Sequence, residues 1–445
     1  MLKRKITQKF IEWKESKTSQ ALLVMGARQV GKTTSIRTFG LSHYENVAEV
    51  NFFQNTSAVE TIAAAQDAAD LLLRISALSR TEMKEGSTLI FLDEIQECEN
   101  LLTLLKFLME ETSYDVIMSG SLLGLDNFPA RSLPVGFLQT VTLYPLDFEE
   151  FCMARAVPGE VMQVARDCFK RQSPVPDYVH DMLMREFYLY LLVGGMPDAT
   201  QAFIETNTLG KTRNAQKGIV DIYEYDITKY VADKTERRQI EMVYEAIPKQ
   251  LSAENKRFKY TRLSKNLRYS NIETAFDWLA CSGIALLTER ITEPLYPLKA
   301  SANPSNVKIF MNDVGLLTSQ LMGDVDIDIL NRRASMNYGS IFENVCAQEL
   351  RAHGYNLYYY HSSKQGEVDF VLEDKRGDIS LCEIKSGKDY KRHNALNNLL
   401  STPNYSFAKS YVFCDGNLHE EKNALYLPIY MIDFLHYEQN YSEAL

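Results

Sequence analysis

Short apolar runs recur between helical stretches over the first third of the chain. Ala21–Met25, Val47–Phe52, Thr88–Leu92, Val116–Ser119 and Thr140–Tyr144 have the length and the aliphatic and β-branched content of buried strands. Segments such as Lys32–Thr38 and Leu101–Glu110 fit between them as helices. Strand–helix alternation predicts a parallel sheet covered by helices. Pro145 and the acidic stretch Asp147–Glu150 follow the last of these strands.

A helical pattern then continues to about residue 235, broken near Ser173–Pro176 and at Gly194–Pro197. Helices over Gln239–Leu251, Thr261–Leu267 and Asn271–Ser282 lead into strands Ile284–Arg290 and Val307–Met311, which flank the loop Pro294–Ser305. Three helices and a hairpin predict a winged-helix-like unit. A helix over Ser340–His353 opens a second α/β region with strands Asn356–Tyr360, Val368–Leu372, Leu381–Lys385 and Ser410–Phe413. The expected domains are 1–150, a parallel α/β sheet; 151–237, a helical connection; 238–325, winged-helix-like; and 326–445, a C-terminal α/β domain.

Of the 445 residues, 45% are hydrophobic and 24% charged, which excludes disorder over the whole length and leaves room for several cores. A net charge of −10 excludes wholesale coating of DNA, so any nucleic-acid contact must use a local basic patch. The cysteines at 98, 152, 168, 281, 346, 382 and 414 form no CxxC pair, the usage expected of reduced thiols in a cytoplasmic protein. Met1-Leu-Lys-Arg-Lys is basic, but the polar Trp13-Lys-Glu-Ser-Lys follows, which predicts an amphipathic helix and no targeting peptide. No run approaches the roughly 18 apolar residues of a membrane span.

Candidate chemistry begins at the first strand. Gly26, Ala27, Arg28, Gln29, Val30, Gly31, Lys32, Thr33 and Thr34 fit G-x-x-x-x-G-K-[ST] between a strand and a helix. Glycines let backbone N–H groups turn toward phosphate oxygens, and the helix N-terminus adds its positive end. Lys32 is expected on the β/γ-phosphates of ATP and the Thr33 hydroxyl on Mg²⁺. Thr88-Leu-Ile-Phe-Leu delivers Asp93 and Glu94 at a strand end, where ligands bind in such sheets. Asp93 is expected to hold Mg²⁺ through its water shell and Glu94 to polarise the attacking water. Ser119, ending the next strand, is either a γ-phosphate sensor or a helix cap. Arg28 and Arg131 are candidates for stabilising transition-state charge, each with an ordinary solvated role as the alternative.

A second acidic pattern lies near the C-terminus. Glu367 and Asp369 share one face of a strand, and Glu383 and Lys385 share one face of the next. Pairing these strands would gather three carboxylates and an ammonium, with Glu343 on the preceding helix completing the set. Asp369 and Glu383 are the candidate divalent-metal ligands, and Lys385 is a candidate to activate water beside a phosphate. The D-x13-E-x-K pattern resembles the PD-(D/E)XK nuclease core; an exposed charged hairpin, or a nuclease-like fold that no longer cuts, fits the same residues. A third feature is residues 256–268, where Lys256, Arg257, Lys259, Arg262, Lys265 and Arg268 occur with no acid and with Phe258 and Tyr260 between them. That patch is a candidate DNA-phosphate or protein-docking surface, although acids in the presumed recognition helix at Asn271–Ser282 disfavour strong groove binding.

Together, Gly26–Thr34, Leu92-Asp-Glu-Ile-Gln96, Ser119–Gly124, Leu143–Phe151, Tyr190–Pro197, Tyr338–Asn344 and the Glu367-Val-Asp-Phe and Glu383-Ile-Lys strands resemble an AAA-type ATPase family of bacteria and archaea with a C-terminal DUF4143 domain. The resemblance implies a P-loop NTPase sheet domain, a winged-helix-like middle and a PD-(D/E)XK nuclease-like end, and it assigns no substrate. Phe137 stands where relatives often place a basic residue, and Arg131 is a candidate substitute. The expected function is a Mg²⁺-dependent ATPase whose nucleotide state regulates the nuclease-like domain. The alternatives are an ATP-dependent switch presenting a protein surface and a DNA-binding regulator with a silent nuclease-like fold.

Overall fold

The computed structural model describes residues 2–98, 101–121, 136–253, 256–263, 268–321, 329–330, 338–387, 390–421 and 423–437. The chain divides into two compact units, with the break between Tyr144 and Pro145.

The first unit contains α1 (Ile6–Ser16), β1 (Ala21–Gly26), α2 (Lys32–His43), β2 (Asn46–Asn51), α3 (Thr56–Ala63), α4 (Ala68–Ser79), β3 (Thr88–Asp93), α5 (Leu101–Glu111), β4 (Asp115–Ser121) and β5 (Leu138–Thr142). Its five strands lie in the order β2-β3-β4-β1-β5, and every pairing is parallel. Every residue of β3 is buried, as a strand covered by helices on both faces requires. Phe52, Ile75, Leu92, Leu105 and Met118 pack in one core cluster. This order sets β4 between β1 and β3, so the ends of those three strands lie side by side. The last strand runs 138–142, two residues earlier than its apolar pattern suggests, because Leu143 leaves the ladder while its N–H donates to Met25 O (2.7 Å) and Pro145 follows.

The second unit opens with helices α6 (Phe148–Ala154), α7 (Gly159–Arg171), α8 (Asp177–Val193), α9 (Pro197–Thr206), α10 (Leu209–Tyr230) and α11 (Lys234–Leu251). It continues with α12 (Glu273–Cys281), β6 (Ala285–Ile291), β7 (Ala302–Met311), α13 (Val314–Leu321), α14 (Gly339–Ala352), β8 (Tyr358–Ser362), β9 (Gly366–Glu373), β10 (Ile379–Ile384), α15 (Asn394–Leu400), β11 (Lys409–Cys414), β12 (His419–Glu421) and β13 (Ala424–Pro428). The hairpin expected as a wing does not stand alone. β6 and β7 form one end of an eight-stranded mixed sheet, β12-β13-β11-β10-β9-β8-β6-β7, through parallel pairing of β6 with β8. Of the helix expected at 261–267, the described residues show the 3-10 turn Tyr260–Arg262, and 264–267 lie outside them. The expected limits at 237/238 and 325/326 both fall inside this unit.

Helix α14 is buried from Ser340 to Leu350 on all faces, polar residues included. Those polar groups bond outward from the helix. Asn344 accepts from Met311 N (2.8 Å) and donates to Met311 O (3.1 Å), and Gln348 accepts from Val314 N (2.8 Å) and donates to Tyr190 Oη (2.6 Å). The breaks foreseen at Gly194–Pro197 are real, and tight: a Cβ on Gly195 would lie 2.0 Å from Leu146 O.

Candidate functional site

The first site is the end of β1, β3 and β4. Gly31 caps α2 with φ 92°, a left-handed conformation that glycine adopts without penalty. A Cβ on Gly26 would lie 2.3 Å from Leu143 O, so the loop can enter only as glycine. Ala27 and Val30 are buried and pin the loop to the core, while Gln29 and Thr34 are exposed. Lys32 is 5% exposed and donates to Gly26 O (3.0 Å) and Ala27 O (2.9 Å), folded back over its own loop. Arg28 lies 5.7 Å from the Phe53 ring centroid.

The buried Asp93 gathers polar groups from three other elements. It accepts from Thr33 Oγ1 (3.0 and 3.2 Å), from Asn51 Nδ2 (2.7 Å) and, through a short contact, from Ser119 Oγ. Burial pushes its carboxyl upward against the Ser119 bond, with Glu94 and Glu49 adding to the rise. A cation beside it would relieve that burden. Ser119 sits inside β4 and also accepts from Glu94 N (3.4 Å), so it is no helix cap. Glu94 itself has φ 57°, a rare backbone state for a non-glycine residue that recurs at functional positions. Gln96 donates to Glu94 Oε2 and accepts from Ser121 N (3.3 Å). Asn51 and Arg4 escaped the sequence reading, and Gln96 entered it only as the end of the Leu92–Gln96 motif. Arg4 ties α1 to the loop through Val30 O (2.8 Å) and to Tyr144 O (2.7 Å). The one available signal was Asn51, a polar residue ending an apolar strand. Arg131 and the Leu122–Gly124 part of the motif lie outside the described residues.

The second site is in the other unit. β9 and β10 pair antiparallel, Ile379 opposite Glu373 through Cys382 opposite Phe370, and one further step of that register sets Glu383 opposite Asp369. Asp369 Oδ2 accepts from Ile384 N (2.9 Å), and Lys385 Nζ donates to Glu383 Oε1 (2.7 Å). Glu343 comes in from α14 and shares a lysine with Glu367 and Asp369. Their partners were not foreseen. Lys308, fully buried on β7, lies 3.2 Å from Glu343 Oε2, 2.9 Å from Glu367 Oε1 and 3.6 Å from Asp369 Oδ1. Lys256 bonds the other Glu343 oxygen; Arg257 bonds Glu367 (3.2 Å) and donates to His361 Nδ1 (2.6 Å).

The cluster is electrically uneven. Burial opposes ionisation of Glu343, but Lys256 and Lys308 win and hold it down to about 2. Burial, then Glu343 and Glu383, push Asp369 up to about 8. Burial also raises Glu383 against the pull of Lys385, and Glu383 Oε2 is buried with no hydrogen-bond partner. The Glu343/Glu367 end is thus neutralised by the chain itself, whereas the Asp369/Glu383 end has a deficit of positive charge. A lone Lys308 within Val307-Lys-Ile-Phe-Met was the legible signal for the missed residue.

The basic stretch is correspondingly smaller than it reads. Lys256 and Arg257 turn into the acidic cluster, and Phe258 is buried 5.2 Å from the Phe276 centroid. Tyr260 packs on Phe276 and donates to Ser305 O, so neither aromatic is an open base-stacking platform. Lys259 and Arg268 are exposed, Arg262 donates to Gln250 Oε1 (3.3 Å), and Lys265 lies outside the described residues.

A parallel sheet in this order, with a glycine loop after its first strand and a buried carboxylate ending its third, defines a P-loop NTPase unit. Residues 18–152 match the family model of an AAA domain, 184–326 that of a domain of unknown function, DUF8612, and 338–432 that of DUF4143. The chain is an AAA-type P-loop protein with a C-terminal DUF4143 domain. Among curated proteins none matches it. Similar solved structures include a Walker-type ATPase of Pyrococcus abyssi, at 13% identity over 72% of this chain and 96% of that one, with a TM-score of 0.45. The Orc1 protein of Aeropyrum pernix in complex with DNA gives 12%, 74%, 94% and 0.30, and the Holliday junction branch migration motor RuvB of Thermotoga maritima gives 10%, 64%, 89% and 0.26. At such distances these likenesses carry no functional argument.

Proposed function

We propose that the protein binds and hydrolyses ATP with Mg²⁺ at the first site and that its nucleotide state governs the acidic centre of the DUF4143 domain. The observation that carries the ATPase reading is the convergence of Thr33, Asn51 and Ser119 on the buried Asp93, one residue before Glu94. A hydroxyl and a carboxylate are hard oxygen donors that suit Mg²⁺, with Thr33 a direct ligand and Asp93 acting through water. The ion supplies charge neutralisation at the phosphates. Backbone N–H groups from Gly26 to Lys32 hold the phosphate oxygens, and Lys32 exchanges its loop carbonyls for the β/γ-phosphates. Glu94, held by Gln96, orients the attacking water and takes its proton. Replacing Glu94 by Gln should keep ATP binding and slow hydrolysis on the order of 10²-fold. Unchanged turnover would mean that another residue positions the water and leave a nucleotide switch.

For the second centre, the orphan oxygen of Glu383 and the raised Asp369 support binding of one divalent ion by these two residues. Lys385, bonded to Glu383, is placed to orient water there in the manner of a PD-(D/E)XK nuclease. Lys308 and Lys256 occupy the Glu343 side, which favours a single metal over a pair. DNA contact would fall to Lys259, Arg262 and Arg268 and to this centre, and the hairpin's place in the large sheet speaks against a free winged helix. Cleavage of DNA with Mg²⁺ or Mn²⁺, with and without ATP, by wild type and Lys385→Ala tests the reading. No cleavage under any combination leaves a silent nuclease-like fold whose role is to bind a protein partner. Seven free thiols, six of them buried, support a reducing, cytoplasmic setting, and no helix among the described residues is long and apolar enough to cross a membrane.

A further inference from the structure

We infer that Asp147, His353 and Asp433 form a buried zinc site. The three residues come from distant parts of the second unit: the N-cap of α6, the C-cap of α14 and the 3-10 turn Ile429–Phe434. One ligand atom from each lies within 4.8 Å of the other two, and all three residues are buried. His353 Nε2 is 3.5 Å from Asp147 Oδ2, 3.8 Å from Asp433 Oδ1 and 3.9 Å from Glu349 Oε2.

Those distances separate two chemistries. An imidazolium paired to a carboxylate draws one oxygen to about 2.7–2.9 Å. Here three carboxylates stand around one nitrogen at nearly equal range, and the nearest, Asp147 at 3.5 Å, is only at the outer limit of a hydrogen bond. The imidazole has only 4% of its side chain exposed, and its Nδ1 has no hydrogen-bond partner. Four ligand atoms about 2.0–2.2 Å from a central tetrahedral ion lie roughly 3.3–3.6 Å apart. The His353–Asp147 and His353–Asp433 separations, 3.5 and 3.8 Å, lie at or just beyond that range, so a small inward shift of the side chains would set the three groups around a common ion.

The neighbouring bonds hold the carboxylates in place for it. Asp147 Oδ1 accepts from Glu150 N (2.8 Å) in a capping box, which turns Oδ2 toward His353. Glu349 Oε1 accepts from Tyr190 Oη (2.9 Å), and Glu149 N donates to Asp433 Oδ1 (3.4 Å). Glu349 and His353 lie four residues apart on α14, on one face of the helix. The His436 ring packs on His353, tilted by 33° with centroids 4.1 Å apart. One imidazole with carboxylates selects a borderline ion over the all-oxygen spheres of Mg²⁺ and Ca²⁺. Asp147, His353 and Asp433 supply three ligands, and water would complete the tetrahedron.

The test uses the full-length chain, without an affinity tag, purified in the presence of zinc. Elemental analysis should find one zinc per chain, lost in His353→Gln and in Asp433→Asn. Should these variants fail to fold, wild type alone decides the matter. Chelation should lower its melting temperature, zinc should restore it, and excess Mg²⁺ should not. Cobalt substitution should give visible absorption bands typical of tetrahedral nitrogen and oxygen ligation. Zinc content well below one equivalent with a melting temperature indifferent to chelator and zinc would overturn the site. So would zinc content undiminished in a folded His353→Gln protein. Either result stands apart from the ATPase reading, since Glu94 and Lys32 take no part.

Discussion

Lys308 has no exposed surface and three carboxylates around it. Its ammonium stays charged because Glu343, Glu367 and Asp369 outweigh the cost of burial. Removing it strands at least the Glu343 and Glu367 charges in a dry interior. Lys308→Met should therefore cost about 3–5 kcal/mol in denaturant unfolding, and adding Glu343→Gln should recover part of that loss. An effect under about 1 kcal/mol would show that water reaches the cluster. Two residues here also set opposite pH dependences. Glu343 is held below its unfolded value, so its stabilisation is complete above about pH 4.5 and is lost as pH falls toward about 2. Asp369 is raised, so the folded state binds the extra proton, and stability falls as pH rises from about 4 to about 8. In metal-free buffer, Asp369→Asn should flatten that fall between pH 5 and pH 8. Parallel denaturation profiles for the two proteins would rule out a protonated Asp369.

Among the elements, the turn between α8 and α9 is the least forgiving. Gly195 passes against the Leu146 backbone, where a Cβ would sit 2.0 Å from its O and 2.8 Å from its N. Gly195 N also donates to Asp313 Oδ2 (2.6 Å), and Leu146 N donates to Gly195 O (2.7 Å). Backbone cannot yield as a flexible side chain does, so Gly195→Ala should destabilise by about 1–3 kcal/mol or more. Gly210→Ala, where a Cβ meets nothing within 4 Å, is the matched control, and should be neutral or slightly stabilising inside α10. Equal melting temperatures for the two variants would contradict the close approach. Helix α14 is held the opposite way from a helix with a solvent face: its polar residues Asn344 and Gln348 bond to Met311, Val314 and Tyr190 in the interior.

For the whole molecule, the expected ligand response is a mass-action effect. Mg-ATP at 100 times its Kd should stabilise the folded protein by about 2.7 kcal/mol. Lys32→Ala should abolish most of the resulting shift, because Lys32 is the loop's ammonium at the phosphates. An equal shift in wild type and variant would remove the phosphate loop as the nucleotide site. With a net charge of −10 and part of the basic stretch spent on internal carboxylates, any affinity for DNA should be modest and decline steeply with salt.

What the sequence by itself determined was local in the chain. A phosphate loop is one strand, one run of glycines and one helix start, so Gly26–Thr34 could be read without knowing what packs on it. Parity along β9 and β10 likewise put Glu367 with Asp369 and Glu383 with Lys385, because side chains alternate across any strand. Tertiary structure alone decided the partners. Asn51 reaches Asp93 because β2 and β3 are sheet neighbours. Lys308 reaches Glu343 because the expected wing is part of the large sheet, across which α14 lies buried. Asp147 meets His353 across 206 positions of chain. The physical reason is the same in each case: a charge interacts through distance and burial, and both are set by which elements pack together, a property that no short stretch of residues carries.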